Sequence, residues 1–115
     1  MTEPRVIHFE ILGDDQVAVQ KFWSELLGWK LDTSGIGGYG MTSPDQTGIV
    51  VGIGATPDGS SGHVTGYVRV ADIDATLARA VTLGGKVIMP KFSPSPDAVL
   101  ALVADAEGHV VGISE

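Results

Sequence analysis

The chain has 115 residues, which is enough for one domain with a modest hydrophobic core. Its formal net charge of −7 argues against nucleic acids and anionic membranes as partners, because both are bound mainly through Lys and Arg. There is no Cys, so disulfides and thiolate metal sites are excluded. No apolar run approaches the roughly 18 residues of a membrane span, and no apolar leader follows the N-terminus. We therefore expect a cytoplasmic protein.

The first half of the chain predicts a strand, a helix and then three strands. Residues in Val6–Leu12 alternate in polarity, as they do in a strand with one apolar face. Asp15 as N-cap and Gly28 as stop signal frame a helix over Gln16–Leu27. Its apolar stripe predicts the buried face and consists of Val19, Phe22, Trp23 and Leu26. The three following strands are predicted at Trp29–Thr33, Tyr39–Thr42 and Gly48–Ile53.

The second half repeats this pattern in degenerate form. Asp72 lies 57 positions after Asp15, and Gly85 lies 57 positions after Gly28, which predicts a second capped helix over Ile73–Leu83. The strands of this half are predicted at Val64–Val70, Lys86–Met89, Val99–Val103 and Val110–Ile113. Pro90–Asp97 holds three of the six prolines, and we expect no regular structure there.

Two βαβββ modules follow from this repeat. We place module one at about residues 5–54, a linker at residues 55–62 and module two at residues 63–115, together forming a single domain over residues 1–115. The predicted fold class is α+β, with a cupped and mainly antiparallel sheet and with the helices on its outer face.

Strand alternation selects the candidate site. It places five side chains on the sheet face that points away from the helices, namely His8, Glu10, Thr65, Tyr67 and Arg69. His8 and Glu10 are the candidate acid–base pair, and the other three are candidate ligand contacts. Trp29 and Tyr39 are the aromatic residues that we expect to reach a ligand. Structural alternatives stay open: a hydrogen-bonded His8, a Glu10–Arg69 ion pair, and sheet packing by Tyr67.

A glycine-rich segment, Gly35–Gly40, matches the dinucleotide pattern G-x-G-x-x-G. That pattern needs a helix N-terminus to hold the pyrophosphate, and no helix is predicted before Gly48. We interpret the segment as a turn or a lip over the cup.

The motifs in their order resemble the vicinal oxygen chelate superfamily, which includes glyoxalase I, dihydroxybiphenyl dioxygenase and the bleomycin resistance proteins. The opening pattern is carried by His8, Asp15, Phe22-Trp23 and Leu27-Gly28-Trp29. Tyr67–Asp72 resembles the start of the second half, and Asp105–His109 resembles the closing turn. The resemblance covers nearly the whole chain and implies the glyoxalase/bleomycin resistance fold.

The four metal-ligand positions that the resemblance implies fall on His8, Gly52, Thr65 and Gly112. Only His8 carries a good ligand for a divalent ion, because glycine offers no side chain and a neutral hydroxyl is a weak donor. We therefore predict no metal and no cofactor. The bleomycin-resistance-like members, which bind drugs without metal, are the closer analogy.

The sequence thus favours a metal-independent small-molecule binding protein that sequesters an antibiotic or a metabolite. The first alternative is a metal-independent isomerase, epimerase or lyase that uses His8 and Glu10 for proton transfer. The third hypothesis is a metal-dependent glyoxalase-type lyase or dioxygenase. We also predict a homodimer, because members of this length pair to complete the cup.

Overall fold

The computed structural model describes residues 4–56 and 61–115, and it divides the chain into two compact units. The first unit is His8–Val64, and the second is Thr65–Glu115 together with residues 4–7. Residues 57–60 of the predicted linker lie outside the described residues. The division falls close to the predicted module boundary, and the single domain over residues 1–115 stays a prediction.

The first unit follows the predicted order of a strand, a helix and further strands. Its elements are β1 (Arg5–Gly13, from residue 8 onward), α1 (Gln16–Leu27), a 3₁₀ turn (Ile36–Gly38), β2 (Gly40–Met41), α2 (Pro44–Thr47) and β3 (Val50–Ala55). β3 pairs with β1 in parallel and with β2 in antiparallel orientation. The predicted strand at Trp29–Thr33 is wrong, since Asp32 makes only an isolated bridge to Met41.

The core of the first unit lies between α1 and the β1–β3 pair. Ile11, Val51 and Ile53 form its buried centre, and Val19 and Trp23 of the helix pack against it. Only part of the predicted apolar stripe of α1 makes this contact. Phe22 is 57% exposed and Leu26 is 60% exposed, and neither is among the helix residues that pack against this core.

The second unit repeats the same plan. Its elements are β4 (His63–Arg69), α3 (Ile73–Thr82), β5 (Lys86–Ser95), β6 (Ala98–Ala104) and β7 (Val110–Ser114). β4 pairs with β7 in parallel, and β5, β6 and β7 form an antiparallel series. Ile73 and Leu77 of the helix close a core with Ala101 and Ile113.

The expectation that Pro90–Asp97 has no regular structure is wrong. β5 continues through both Pro90 and Pro94, and it pairs with β6 as far as the Ser95–Ala98 position. Proline is tolerated here because β5 is the edge strand and its pairing is interrupted by register shifts. The missing N–H groups therefore cost the sheet little.

Three of the four predicted helix caps are confirmed, and the fourth, Gly85, is wrong, because α3 ends at Thr82 with Leu83 as its C-cap and the glycine with a positive φ is Gly84, at 96°. The Asp15 side chain accepts a hydrogen bond from the backbone N–H of Ala18, and the Asp72 side chain accepts one from Ala75. Gly28 ends α1 with a φ of 72°, a left-handed conformation that glycine adopts without strain.

Asp15→Ala should lower the free energy of unfolding by about 1 kcal/mol, because one backbone donor of the first helical turn loses its acceptor. The control is Asp14→Ala, which removes an exposed neighbouring carboxylate and should change stability by less than about 0.5 kcal/mol. Urea unfolding followed by circular dichroism measures both variants. Equal losses would contradict the capping role of Asp15.

Candidate functional site

A chain of hydrogen bonds links three of the predicted site residues in the first unit. The Tyr39 hydroxyl lies 2.9 Å from Nε2 of His8, and it donates to Oε2 of Glu10 over 2.8 Å. The His8 and Tyr39 rings are nearly parallel, with centroids 6.3 Å apart. The structure therefore brings the two candidate acid–base groups together through a phenol.

The direction of these hydrogen bonds determines which ring nitrogen of His8 carries the proton. A phenol has a single proton, and a carboxylate can only accept, so the Tyr39 proton points at Glu10. The Tyr39 oxygen must then accept from His8, which requires a proton on Nε2. A nitrogen that carries a proton has no lone pair to give to a metal.

Two glycines of β3 make room for the Tyr39 ring. A Cβ built on Gly52 would collide with the Tyr39 hydroxyl, and it would lie 2.6 Å from Nε2 of His8. A Cβ on Gly54 would lie 2.7 Å from the ring carbon Cδ1 of Tyr39. Tyr39 therefore fills the space that a side chain at position 52 would need, and position 52 is where the resemblance implies a metal ligand.

The segment that delivers Tyr39 is held from helix α1. The 3₁₀ turn ends with Gly37 and Gly38 at φ 68° and 76°, a region that favours glycine. Gln16 Nε2 donates to the carbonyl of Gly37 over 2.8 Å. Gln20 Nε2 donates to the carbonyls of both Gly38 and Ile53, and so joins the segment to β3.

Sequence reasoning missed these two glutamines. Gln16 and Gln20 lie four residues apart on one face of a predicted helix, which identifies the face but not what it contacts. The predicted turn at Gly35–Gly40 is confirmed, and its function in the first unit is to place Tyr39 over β3.

Burial decides the charge of His8. Desolvation lowers the pKa of the imidazole from its usual 6.5, and the nearby Glu10 carboxylate only partly offsets this effect. The neutral imidazole is consequently favoured near neutral pH. A neutral His8 with Nε2–H is also the form that the hydrogen bond to Tyr39 requires.

In the second unit, a tyrosine from the paired strand covers Gly112, the counterpart of Gly52. Tyr67 of β4 pairs in register with Gly112 of β7, and its ring lies against the position that a Cβ of Gly112 would take. Tyr67 is 6% exposed and Thr65 is 3% exposed. Tyr67 is thus a packing residue over Gly112, which is the structural alternative named above, and a ligand contact by Thr65 or Tyr67 stays a prediction.

The other two predicted ligand contacts lie in different surroundings. Trp29 is half-buried and packs against the first unit's core of Ile11, Val51 and Ile53. Arg69 is exposed and lines a cleft of the second unit with residues of helix α3. That all the predicted residues line one cavity stays a prediction.

The donor atoms do not fit a divalent cation. Gly52 and Gly112 supply no ligand, Thr65 supplies a neutral hydroxyl, and Nε2 of His8 is committed to Tyr39. Within the described residues there is no group of three or more His, Cys, Asp or Glu arranged to hold a metal. The absence of a metal in the working protein stays a prediction.

Comparison with known proteins identifies the family. Residues 10–114 match the family described as the glyoxalase-like domain. The chain belongs to this family. It is 31% identical over 106 residues to CFP32 of Mycobacterium tuberculosis, a protein provisionally named a glyoxylase, and to its Mycobacterium bovis counterpart. The match covers 86% of this chain but only 41% of CFP32, so the chain spans less than half the length of the curated relatives that it matches.

Solved structures show the same fold. Methylmalonyl-CoA epimerase from Mycobacterium tuberculosis has a TM-score of 0.67 at 17% identity, with 96% of this chain and 86% of that chain covered. A glyoxalase/bleomycin resistance protein/dioxygenase superfamily member from Vibrio splendidus has a TM-score of 0.63 at 20% identity, with 97% of each chain covered. The predicted α+β fold of the glyoxalase/bleomycin resistance type is therefore confirmed.

A third structure adds a ligand on the same fold. The Streptomyces coelicolor methylmalonyl-CoA epimerase, in complex with 2-nitronate-propionyl-CoA, has a TM-score of 0.63 at 16% identity. The match covers 96% of our chain and 92% of the epimerase chain.

In the described part of our glyoxalase-like chain, the longest helix has 12 residues, too few for a membrane-spanning helix.

Gly52→Ala should destabilise the protein by about 1–3 kcal/mol, because the new methyl group must displace the Tyr39 ring. In a Tyr39→Ala background the same substitution should cost much less, since the space above Gly52 is then open. Gly66→Ala is the control, because a Cβ at that strand glycine meets nothing within 4 Å. An equal cost of Gly52→Ala in both backgrounds would contradict the packing of Tyr39 on β3.

His8→Gln should flatten the dependence of stability on pH. Because the pKa of His8 is lowered in the folded state, the unfolded chain binds this proton at a higher pH than the folded chain does. The stability that His8 contributes is therefore present above the unfolded pKa of 6.5 and is lost as pH falls through the folded pKa. The free energy of unfolding, measured by urea titration between about pH 8 and about pH 5, should fall less in the variant than in the wild type. An unchanged or steeper fall in His8→Gln would show that burial does not lower this pKa.

Proposed function

We propose that this chain is a metal-independent small-molecule binding protein of the glyoxalase-like family. The observation that carries the proposal is the Tyr39 ring, which occupies the space above Gly52 and bridges His8 and Glu10 by hydrogen bonds of 2.9 and 2.8 Å. A phenol and two fixed partners thus replace the ligand side chain that a metal site would need at position 52. The resulting site offers hydrogen-bonding groups instead of a Lewis acid.

The chemistry of the three groups suggests the class of ligand. Glu10 only accepts, neutral His8 donates through Nε2, and Tyr39 does both. A ligand enol can donate a hydrogen bond to Glu10, and a ligand carbonyl or carboxylate can accept one from the Tyr39 hydroxyl or from Nε2–H of His8. We therefore propose an amphipathic ligand with such an oxygen, sequestered as an antibiotic or a metabolite in the cytoplasm.

A second candidate function has an observation in its favour. The hydrogen-bonded series from Glu10 through Tyr39 to His8 joins an acid–base pair, and the lowered pKa of His8 keeps its imidazole neutral near pH 7. Such a series suits an isomerase, epimerase or lyase that moves a proton next to a carbonyl. The donor set gives no comparable support to a metal-dependent lyase or dioxygenase.

The two candidates are separated with a panel of amphipathic carbonyl, enol and carboxylate compounds. Thermal-shift binding selects a compound, and proton NMR in deuterated water then detects exchange at the carbon next to its carbonyl. Glu10→Gln and Tyr39→Phe should each weaken binding by roughly 1–3 kcal/mol, the typical cost of an unpaired buried polar contact. Glu107→Gln, in an exposed turn, is the control for the loss of one charge.

The outcome assigns the function. Exchange that is lost in Glu10→Gln while binding persists favours the enzyme. Parallel loss of binding without any exchange favours the sequestering protein. Binding that is indifferent to both substitutions would refute the site.

Metal analysis tests the metal-independent part of the proposal. Elemental analysis of protein purified without chelator should show zinc, nickel, iron and manganese well below one atom per chain, and EDTA should leave ligand binding unchanged. The physical reason is the donor set, which leaves His8 as the one good ligand among the four implied positions. A stoichiometric metal that is lost together with binding would overturn the proposal.

We also propose that the chain works as a homodimer. Helix α1 exposes Phe22 and Leu26, large apolar side chains one turn apart, and such exposed surface is typical of an interface. Multi-angle light scattering should give twice the 11.9 kDa chain mass. A monomer at micromolar concentration would contradict this proposal, and Phe22→Ser with Leu26→Ser should weaken the dimer.

A further inference from the structure

The second unit contains a cleft of about 460 Å³ between the end of β4 and the outer side of helix α3. Its walls are largely apolar and are formed by Pro4, Val70, Ala71 and Ala75. Arg69 and Arg79 line the same cleft. A volume of this size lies within the range of about 300–1,000 Å³ that small-molecule sites occupy.

The side chains that line this cleft carry a net positive charge. The whole chain has only 7 Lys and Arg against 14 Asp and Glu, yet two guanidinium groups lie here. Within the described residues of the second unit, neither forms a salt bridge, whereas Lys91 pairs with Asp74 over 3.0 Å. The Asp72 carboxylate also lines the cleft, but it caps helix α3 by accepting from Ala75.

The internal repeat shows that the scaffold does not require these arginines. With the 57-residue offset, Arg69 and Arg79 correspond to Leu12 and Phe22 of the first unit. The strand–helix junction therefore folds with apolar side chains at both positions. The second unit carries cations at positions where the first unit has apolar residues. The two arginines are therefore not needed to form the fold.

We propose that this cleft binds an organic anion, with a phosphate or carboxylate held by Arg69 and Arg79 and an apolar body packed on Val70, Ala71 and Ala75. A guanidinium presents a planar set of donors that matches either oxyanion in a bidentate manner. The apolar walls distinguish such a ligand from a free inorganic ion. This site is independent of the proposed function at His8, Tyr39 and Glu10, which lie in the other unit.

The test titrates the full ¹⁵N-labelled chain with phenyl phosphate, benzoate, phenol and inorganic phosphate, followed by NMR. Phenyl phosphate or benzoate should shift the backbone amides of Ala71, Ala75 and Thr76 in a saturable manner. Arg69→Gln and Arg79→Gln should each weaken that binding about tenfold, the effect of losing one charge-assisted hydrogen bond. Arg5→Gln is the matched control, because Arg5 is exposed and outside the cleft lining.

Each outcome decides the proposal. Stronger binding of phenyl phosphate than of benzoate supports it with a phosphate ligand, and the reverse order supports it with a carboxylate ligand. Inorganic phosphate or phenol that binds as tightly as the organic anions would overturn it, and so would equal losses in Arg5→Gln and Arg79→Gln. Unchanged NMR spectra of the variants away from the cleft show that a loss of binding is not a loss of fold.

Discussion

The candidate site depends on one hydroxyl group, that of Tyr39. It lies between an acceptor that cannot donate, Glu10, and an imidazole nitrogen of His8 that must therefore donate. In this arrangement the Tyr39 proton is donated to Glu10, and the Nε2 proton of His8 is donated to Tyr39. Because His8 is partly buried and its pKa is lowered, the arrangement persists with a neutral imidazole. The site is thereby built from hydrogen bonds, with Nε2 of His8 unavailable as a metal ligand.

The hydroxyl can take this position because several local features agree. Gly52 and Gly54 leave the surface of β3 bare, so that an aromatic ring can lie on it. The glycines of the 3₁₀ turn adopt positive φ, and Gln20 holds the turn to β3 through two carbonyls. In the second unit, Gly112 is instead covered by Tyr67 from the paired strand. Both units thus place a tyrosine ring over the glycine of their last strand, by different routes.

Much of the fold could be predicted because its signals are local. Asp15, Asp72 and Gly28 mark helix ends through contacts within one turn, and the repeat brings the two halves into register. Family membership followed from the order of short motifs. The role of Tyr39 could not be predicted, because it arises from contacts between residues 29 and 31 positions apart that no periodic pattern encodes.

The wrong predictions have the same origin. Proline was expected to end the strand at Pro90, but edge position in a sheet is a tertiary property, and β5 continues to Ser95. Phe22 was assigned to the core from helical spacing, which gives a face but not its width. Arg69 was assigned by strand alternation to the predicted ligand face, and the cleft that it lines became visible only with helix α3 in place.

The central claim is that Nε2 of His8 carries a proton and donates it to Tyr39. Nitrogen-15 NMR of the histidine rings at about pH 8 tests this directly, with the His8 signals assigned from their loss in His8→Gln. The account predicts a neutral His8 ring with its proton on Nε2, unchanged when zinc is added. A proton on Nδ1, or a zinc-dependent shift of the Nε2 signal, would contradict it.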